Sequence, residues 1–199
     1  TYTFHMADSK VTVEASFKLI ETEPENPFTD ISKSDYFYDA VLWAVDKGIT
    51  SGTSANTFSP DASCTRAQMV TFLWRANGSP APTAAVSPFA DVSVGSYYYD
   101  AVLWAVEQGI TSGTSTTTFS PEASCTRAQV ATFLWRTESS PAVSGGASFA
   151  DVADNTYYTN AVIWAANSGV TSGTSATTFS PDAVCTRAQI VTFLYRALA

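Results

Sequence analysis

One block of sequence occurs three times in this chain of 199 residues, and this repetition constrains the fold more than any other feature. The copies begin at Phe28, Phe89 and Phe149 and align without gaps. The segments between them, 77–88 and 138–148, are rich in Pro, Ser, Ala and Gly, which is typical of linkers. The sequence therefore predicts a first repeat at 28–80, a second at 81–140 with its preceding linker, and a third at 141–199 with its preceding linker.

Each repeat contains two helical patterns joined by a loop. The first pattern follows a residue type that favours the N-cap and stops at a glycine suited to the left-handed C′ position. The predicted starts follow Asp35, Ser96 and Thr156, and the predicted ends are Gly48, Gly109 and Gly169. These segments are apolar nearly all round, which indicates contacts on more than one side. Trp43, Trp104 and Trp164 lie within them and are expected in the core.

The second helix starts at the sequence Cys-Thr-Arg-Ala-Gln, which is present in every repeat. With Thr65 as N-cap, Gln68 falls at N3, and the pair predicts a capping box. Cys64 at N′ and Met69 at N4 form the matching hydrophobic-staple pair. The other copies place Thr126, Gln129, Cys125 and Val130, and Thr186, Gln189, Cys185 and Ile190, at the same positions.

The arginine of this motif has no evident role in its own helix. Arg66, Arg127 and Arg187 occupy N1, where a cation opposes the helix dipole. The other arginines, Arg75, Arg136 and Arg196, lie near helix C-termini, where the dipole favours them. One interpretation pairs the N1 arginines with Asp30, Asp91 and Asp151; the other makes them, with the free helix N–H groups, receptors for a carboxylate or phosphate.

A single repeat is too small to bury both of its helices, so the three are expected to pack together. Two helices in each of three repeats predict a mainly α fold, a pseudo-threefold helical bundle of helix-loop-helix units. The N-terminal segment 1–27 differs, because the apolar residues Val11, Val13, Ala15, Phe17 and Leu19 alternate with polar ones. This alternation predicts a short β-strand that packs on something outside the repeats or pairs with another chain.

Composition narrows the classes of partner. Eighteen Asp and Glu against ten Lys and Arg give a net charge of −8, which argues against nucleic acid or an anionic membrane. No apolar run is long enough to insert into a membrane. The cysteines sit singly at equivalent repeat positions, which favours small buried apolar side chains over disulfides or a metal site. No cofactor is expected.

The repeated motifs resemble those of S-layer homology domains over residues 28–199. The first copy carries Phe28-Thr-Asp30, Gly48-Ile-Thr-Ser-Gly52, Thr57-Phe58-Ser-Pro60 and Cys64-Thr-Arg66-Ala-Gln68. Three features depart from the family pattern: Cys and Gln replace the Ile and Glu that flank Thr-Arg-Ala, Tyr replaces the Trp before helix one, and the Asp-Gly before Thr-Phe is absent. Residues 1–20 resemble the closing strands of β-repeat modules from Gram-positive surface proteins.

The resemblance implies a three-pronged spindle around a helical bundle, on the surface of a Gram-positive bacterium. It implies a non-catalytic module that anchors a larger protein to the cell wall by binding an acidic, often pyruvylated, secondary wall polysaccharide in up to three grooves between repeats. The expected ligand-binding residues are Arg66, Arg127, Arg187, Asp30, Asp91, Asp151, Tyr36, Tyr97, Tyr157, Gly52, Gly113, Gly173, Thr53, Thr114 and Thr174.

The same residues also allow other interpretations, several of them purely structural. The aspartates can serve as caps for backbone N–H groups, and the Gly-Thr-Ser loops can be ordinary turns. The whole module can instead self-associate or bind another surface protein through exposed aromatic residues, which would then form a flat patch rather than flank the arginines. A glycosidase would need two carboxylates about 5–10 Å apart across one cleft, which a triplicated single acid does not suggest.

Overall fold

The computed structural model describes residues 25–146 and 149–199. The predicted N-terminal strand lies outside the described residues. The described part contains six α-helices, two in each repeat, with isolated β-bridges. They are α1 (Tyr38–Asp46), α2 (Arg66–Ala76), α3 (Tyr99–Glu107), α4 (Arg127–Thr137), α5 (Thr159–Asn167) and α6 (Arg187–Leu198). The prediction of a mainly helical fold is confirmed, and no helix in the described ranges is long and apolar enough to cross a membrane.

The first helix of each repeat starts later than predicted. The N-cap of α1 is Phe37, which has no side-chain capping bond, and Asp35 is therefore not the cap. The Asp35 carboxylate instead accepts a hydrogen bond from the Ser32 N–H at 2.7 Å, inside the turn that precedes the helix. Ser96 and Thr156 are likewise replaced as N-caps by Tyr98 and Tyr158. The Asp35 side chain that was expected to cap α1 therefore bonds within the preceding turn, and the helix begins after it.

The end of the first helix is as predicted. Gly48 has a φ of 68°, in the left-handed region. Its N–H donates to the Val45 carbonyl and the N–H of Ile49 donates to the Ala44 carbonyl. This pair of bonds is the Schellman arrangement, which satisfies carbonyls that the helix end leaves free.

The predicted capping boxes are present at all three second helices. In α2 the Thr65 Oγ1 accepts from the Gln68 N–H at 3.2 Å, and the Gln68 Oε1 accepts from the Thr65 N–H at 3.0 Å. The same reciprocal pair joins Thr126 to Gln129 and Thr186 to Gln189. Local sequence therefore suffices to set the start of each second helix.

Helices pack between repeats. The first helix of each repeat lies against the second helix of the preceding one: α3 against α2, α5 against α4, and α1 against α6. The second helices α2, α4 and α6 also contact one another. Trp104 is buried, whereas Trp43 and Trp164 are partly buried against the core, so the core prediction for these residues holds.

Backbone hydrogen bonds link the repeats in a cycle. The N–H of Cys64 donates to the Cys185 carbonyl, that of Cys125 to Cys64, and that of Cys185 to Cys125. In the opposite direction, the Arg66 N–H donates to the Ala123 carbonyl of the second repeat and the Ala67 N–H donates to Pro121. The remaining pairs repeat this pattern: Arg127 to Ala183, Ala128 to Pro181, Arg187 to Ala62, and Ala188 to Pro60.

The cysteines are free and fully buried beside this ring of bonds, as the sequence predicted. Burial raises the pKa of the Cys64 and Cys185 thiols to about 12 and that of Cys125 well above its usual value. The thiols are therefore protonated at neutral pH, and within the described ranges no group of three His, Cys, Asp or Glu side chains could hold a metal.

We expect the three repeats to fold as one unit. A peptide covering residues 28–80 would lack the partner of each of its helices, because α1 packs on α6 and α2 packs on α3. It should be largely unfolded by circular dichroism. A cooperative thermal melt of this peptide would contradict the prediction.

We expect the thiols to be inert while the chain is folded. A buried thiol with a pKa near 12 offers almost no thiolate to a disulfide reagent at pH 8. Release of thionitrobenzoate should follow unfolding in guanidinium, with all three cysteines reacting. Rapid labelling of the native chain would show that the thiols are accessible.

Candidate functional site

The helix-start arginines are among the most buried charged groups of the described chain. Arg66 and Arg127 are 3% exposed and Arg187 is 4% exposed. The Arg66 Nε donates to the Phe119 carbonyl of the second repeat at 2.9 Å. Arg127 makes this bond to Phe179 at 2.7 Å, and Arg187 makes it to Phe58 at 2.9 Å. Each arginine thus bonds to a carbonyl of the next repeat. The sequence of its own helix could not predict this partner.

Each guanidinium also lies between two aromatic rings. The Arg66 Cζ is 4.7 Å from the centroid of Phe119 and 5.4 Å from that of Phe133. Such cation–π contacts gain strength away from water. Burial lowers the pKa of Arg66, but arginine is effectively always protonated in proteins, so a buried cation results.

The helix N-terminus does not supply free N–H groups to a ligand. At the start of α2 the N–H groups of Arg66 and Ala67 donate to the second repeat, and those of Thr65 and Gln68 belong to the capping box. The expectation that an anion would be bound jointly by guanidinium and helix N–H groups is therefore wrong. Only the side chain remains available.

The aspartates of the Phe-x-Asp motif brace the arginine indirectly. The Asp91 carboxylate accepts from the N–H groups of Phe119 and Ser120, at 2.8 and 2.7 Å. These bonds hold the segment whose Phe119 carbonyl receives Arg66. Asp30 and Asp151 do the same for Phe58 and Phe179. For both, burial alone would raise the carboxyl pKa, but the backbone hydrogen bonds outweigh it and lower the pKa.

Three equivalent grooves lie beside the arginines, and each is lined by all three repeats. One repeat contributes the arginine, the next contributes the loop and second helix, and the third contributes the exposed tyrosine. The Arg66 groove has a volume of about 380 Å³ and is lined by Arg66, Thr111, Ser112, Gly113, Thr114, Gln129, Thr132, Phe133, Arg136 and Tyr157. The Arg127 groove (about 340 Å³) is lined by Tyr36, Arg127, Thr171, Ser172, Gly173, Thr174, Gln189, Thr192, Phe193 and Arg196. The Arg187 groove (about 210 Å³) is lined by Thr50, Ser51, Gly52, Gln68, Thr71, Phe72, Arg75, Tyr97 and Arg187.

The structure brings together most of the residues singled out from the sequence. The arginines, tyrosines and glycines of all three sets line the grooves, as do Thr114 and Thr174. Thr53 is not among the lining residues of the Arg187 groove, and Asp30, Asp91 and Asp151 line none of the three. The aspartates instead accept hydrogen bonds from the backbone of the Phe-Ser segment that follows each loop.

Sequence analysis missed a second arginine in every groove. Arg75, Arg136 and Arg196 were assigned only to helix C-termini, yet they line the grooves as well. The Arg136 Nη1 donates to the Ile110 carbonyl at 3.0 Å, which orients the side chain across the loop. Arginines are common near helix C-termini, where they interact favourably with the dipole. The sequence therefore could not show that these arginines also line a groove.

Two of the buried arginines keep an unpaired hydrogen-bond donor. The Nη2 atoms of Arg66 and Arg127 are buried and have no hydrogen-bond partner. The Nη2 of Arg187 instead donates to the Thr50 hydroxyl at 3.4 Å. An unsatisfied buried donor is costly, so each of these two guanidinium groups retains an unused capacity to donate a hydrogen bond.

The tyrosines form the outer wall of the grooves. Tyr36, Tyr97 and Tyr157 are 66%, 58% and 57% exposed, and each packs edge-on against the aromatic residue that follows it. Desolvation raises the pKa of all three, although a side-chain hydrogen bond to Thr65 or Thr126 lowers it in part for Tyr97 and Tyr157. Each groove therefore offers an aromatic face with a neutral hydroxyl.

The loop glycine is required by close packing as well as by its backbone angle. Gly52 has a φ of 86°, and a Cβ on it would lie 2.5 Å from both the Phe28 ring and the Thr57 carbonyl oxygen. Gly113 and Gly173 are equally confined by Phe89 and Phe149. These glycines shape the groove by letting the loop approach the aromatic residue that opens each repeat.

The chain resembles a known domain family and segments of known bacterial proteins. The family model described as the S-layer homology domain matches residues 27–70, 88–131 and 148–191. An endoglucanase from Bacillus sp. (strain KSM-635) is 34% identical over 110 residues, which is 55% of this chain and 11% of that protein. A surface-layer 125 kDa protein from Lysinibacillus sphaericus is 34% identical over 109 residues, which is 55% of this chain and 9% of that protein. The chain thus spans a small part of the length of these relatives.

We expect Arg66→Met to destabilise the chain by about 1–3 kcal/mol, because the buried Phe119 carbonyl would lose its donor. The midpoint of urea unfolding measures this. Lys47→Met also removes one positive charge but at an exposed site, and it should change stability by less than about 0.5 kcal/mol. Equal midpoints for Arg66→Met and the parent would show that the interrepeat bond contributes nothing.

Proposed function

The chain belongs to the S-layer homology domain family, and on that premise we propose that it anchors a larger bacterial protein by binding an acidic secondary cell-wall polysaccharide. Repeats of this family are cell-surface anchoring modules, and the chain is a cell-surface, cell-wall-associated protein. The proposal concerns the ligand and the surface that binds it: an acidic glycan, such as one bearing pyruvate ketals, held in the grooves between repeats.

The proposed architecture is a pseudo-threefold bundle with three prongs. The cyclic hydrogen bonds of Cys64, Cys125 and Cys185 support it, as do the equivalent pairings of first and second helices. In this arrangement every groove requires side chains from all three repeats. Ligand binding would then depend on the complete set of repeats.

The observation that carries the proposal is the unpaired Nη2 of Arg66 and Arg127 beside a groove. A carboxylate oxygen would satisfy this donor through a charge-assisted hydrogen bond, which is stronger than a neutral one. The second arginine of each groove adds a further positive charge, while the aspartates are occupied by backbone N–H groups. The groove therefore suits a small anionic group attached to an uncharged body.

The remainder of the groove suits a sugar ring. Threonine and serine hydroxyls from the loop, the glutamine of the capping box and the face of a tyrosine line one concave surface. Hydroxyl and amide groups can bond to sugar hydroxyls, and an aromatic ring can cover an apolar sugar face. This combination supports a carbohydrate over an inorganic anion.

The three grooves are proposed to differ in affinity. The Arg187 groove is the smallest, and its Nη2 already has the Thr50 hydroxyl as a partner. A ligand there would have to replace an existing bond, whereas it would satisfy an empty donor in the Arg66 and Arg127 grooves. Two stronger sites on one module would still prolong attachment to a polymer through avidity.

The alternative is a module for self-association or for a protein partner. That function would be favoured by an aromatic patch away from the arginines, but the exposed tyrosines lie in the grooves beside them. The glycan therefore remains the better-supported ligand. The module is proposed to be non-catalytic, since the carboxylates of the Phe-x-Asp motifs accept backbone hydrogen bonds behind the loops.

Binding to purified cell-wall sacculi tests the proposal. The chain should bind intact sacculi, lose most binding once the secondary polysaccharide is stripped, and bind more weakly as salt rises, because the contact is partly ionic. Tyr157→Ala should lower affinity for the free polysaccharide about threefold to tenfold, as expected for one lost aromatic contact. Undiminished binding to stripped sacculi would favour the protein-partner alternative.

Matched variants separate groove chemistry from general surface effects. Tyr97→Ala makes the same change in the Arg187 groove and should have the smaller effect on affinity. Val94→Ser alters an exposed side chain outside the three grooves and should leave affinity unchanged. Equal losses for Tyr157→Ala and Tyr97→Ala would contradict the proposed ranking of the grooves, and no loss for either would exclude the grooves as the binding surface.

A further inference from the structure

A larger cleft lies next to the Arg66 groove. We call it the linker-1 cleft; its volume is about 750 Å³, and its walls are the first linker and the adjoining ends of α3 and α4. Gly109 and Ile110 line it, whereas the next residues of the chain, Thr111 onward, line the Arg66 groove. Arg136 lines both spaces. The two cavities are therefore neighbours that share the side chain of Arg136.

Helix α4 contributes residues to both cavities. Gln129, Thr132 and Phe133 line the groove, and Thr137 lines the linker-1 cleft one turn farther along. At 1.5 Å per residue, the stretch of helix from Gln129 to Thr137 is about 12 Å long. That length exceeds one sugar ring, so a ligand anchored at Arg66 by its anionic residue would extend its neighbouring residue over Arg136.

The chemistry of the linker-1 cleft differs from that of the groove. Its exposed polar side chains include the Gln108 amide and the hydroxyls of Ser139 and Ser140, and Pro80 provides exposed apolar surface. Asn77 also lines the cleft, but its amide Nδ2 donates to the Leu73 carbonyl at 2.8 Å. Neutral donors and acceptors next to an apolar ring suit uncharged sugar hydroxyls and ring faces. Arg136, at the junction, is the cation nearest to this set.

The linker wall is held in place before any ligand binds. The Glu107 carboxylate accepts hydrogen bonds from the Thr83 N–H and hydroxyl, at 2.8 and 2.9 Å, and from the Ala84 N–H. The Trp74 Nε1 donates to the Pro80 carbonyl at 2.9 Å, and the Tyr99 hydroxyl donates to the Ala85 carbonyl. These contacts oppose mobility of the linker, so little ordering cost would accompany binding.

The repeat equivalents of Glu107 make different contacts. In the third repeat Asn167 occupies the position and donates one bond to the Ser144 carbonyl at 3.4 Å. In the first repeat Asp46 occupies it and pairs with Lys47 at 3.2 Å. The wall built on Glu107 is thus a feature of the second repeat, beside the Arg66 groove.

We propose that the linker-1 cleft binds uncharged sugar residues of the same polysaccharide whose acidic residue occupies the Arg66 groove. The Arg66 groove then recognises a stretch of chain and is the primary site of the module. This inference rests on the proposed function, because it places a second part of the same ligand.

Calorimetry with size-sorted fragments of the purified wall polysaccharide tests the proposal. The probes are single acidic residues and longer chains ending in the same residue. The parent should bind the longer chains at least about fivefold more tightly than the single residue, the effect of one or two net hydrogen bonds. Ala81→Trp, which fills the rim of the cleft, and Gln108→Ala, which removes an amide, should reduce or abolish this gain while leaving the affinity for the single residue unchanged.

Equivalent positions supply the controls. Ala142→Trp makes the same change as Ala81→Trp at the equivalent position of the second linker. Ser168→Ala changes the residue of the third repeat that is equivalent to Gln108. Both variants should still bind the longer chains more tightly than the single residue, by the same factor as the parent. Thermal melts confirm that all four variants fold. The proposed role of the cleft would be refuted if the parent bound chains of all lengths equally, or if Ala81→Trp still bound the longer chains as much more tightly as the parent does. Either result would leave the proposed function intact. A parent that binds no fragment of any length would refute both.

Discussion

The exchange of hydrogen bonds at the starts of the second helices is the interaction on which this structure depends. A helix cannot satisfy its own first N–H groups, and here those of Arg66 and Ala67 donate to carbonyls of the next repeat. Repeated three times, the exchange closes the chain into a cycle and fixes each helix start relative to its neighbour. The first helices then pack on second helices of other repeats, so the helix-to-helix part of the core forms between repeats.

The same geometry makes one side chain serve both folding and the proposed ligand site. Because each helix start is anchored in the next repeat, the Arg66 Nε reaches the Phe119 carbonyl while its Nη2 remains unpaired beside the groove. The buried charge is costly to desolvate, and the cation–π contacts with Phe119 and Phe133 offset part of that cost. Folding and the proposed recognition would therefore be coupled through the helix-start guanidinium of the Arg66 groove.

Small departures from repetition distinguish grooves that share nearly all of their residues. The Nη2 of Arg187 donates to Thr50, whereas the corresponding atoms of Arg66 and Arg127 have no partner. Among the described residues, Glu107 holds the first linker with three hydrogen bonds, whereas its equivalent Asn167 donates one bond and Asp46 pairs with Lys47. A triplicated sequence thus yields three related surfaces that are not interchangeable.

The sequence by itself determined the features that depend on neighbours along the chain. The repeats, the capping box of Thr65 and Gln68 and the glycine that ends α1 were predicted because each needs only a few adjacent residues. Most of the residues that the family motifs indicated line the grooves, but the second arginine of each groove was not among them. Asp35 shows the limit of this local reasoning, since a preceding turn engaged its carboxylate and the helix began later.

Only the tertiary structure decided how the arginines are used. Arg66 bonds to a carbonyl 53 residues away, and Arg136 approaches it in the same groove from a different repeat. The sequence of a single helix predicted only a favourable dipole contact for Arg136 and no role in its own helix for Arg66. Local spacing does not encode the distances between repeats or the burial of a side chain by another repeat. In long-range packing, the helix N–H groups that the sequence had assigned to an anion donate to carbonyls of the next repeat, and the side chains of Arg66 and Arg127 keep the unpaired donor.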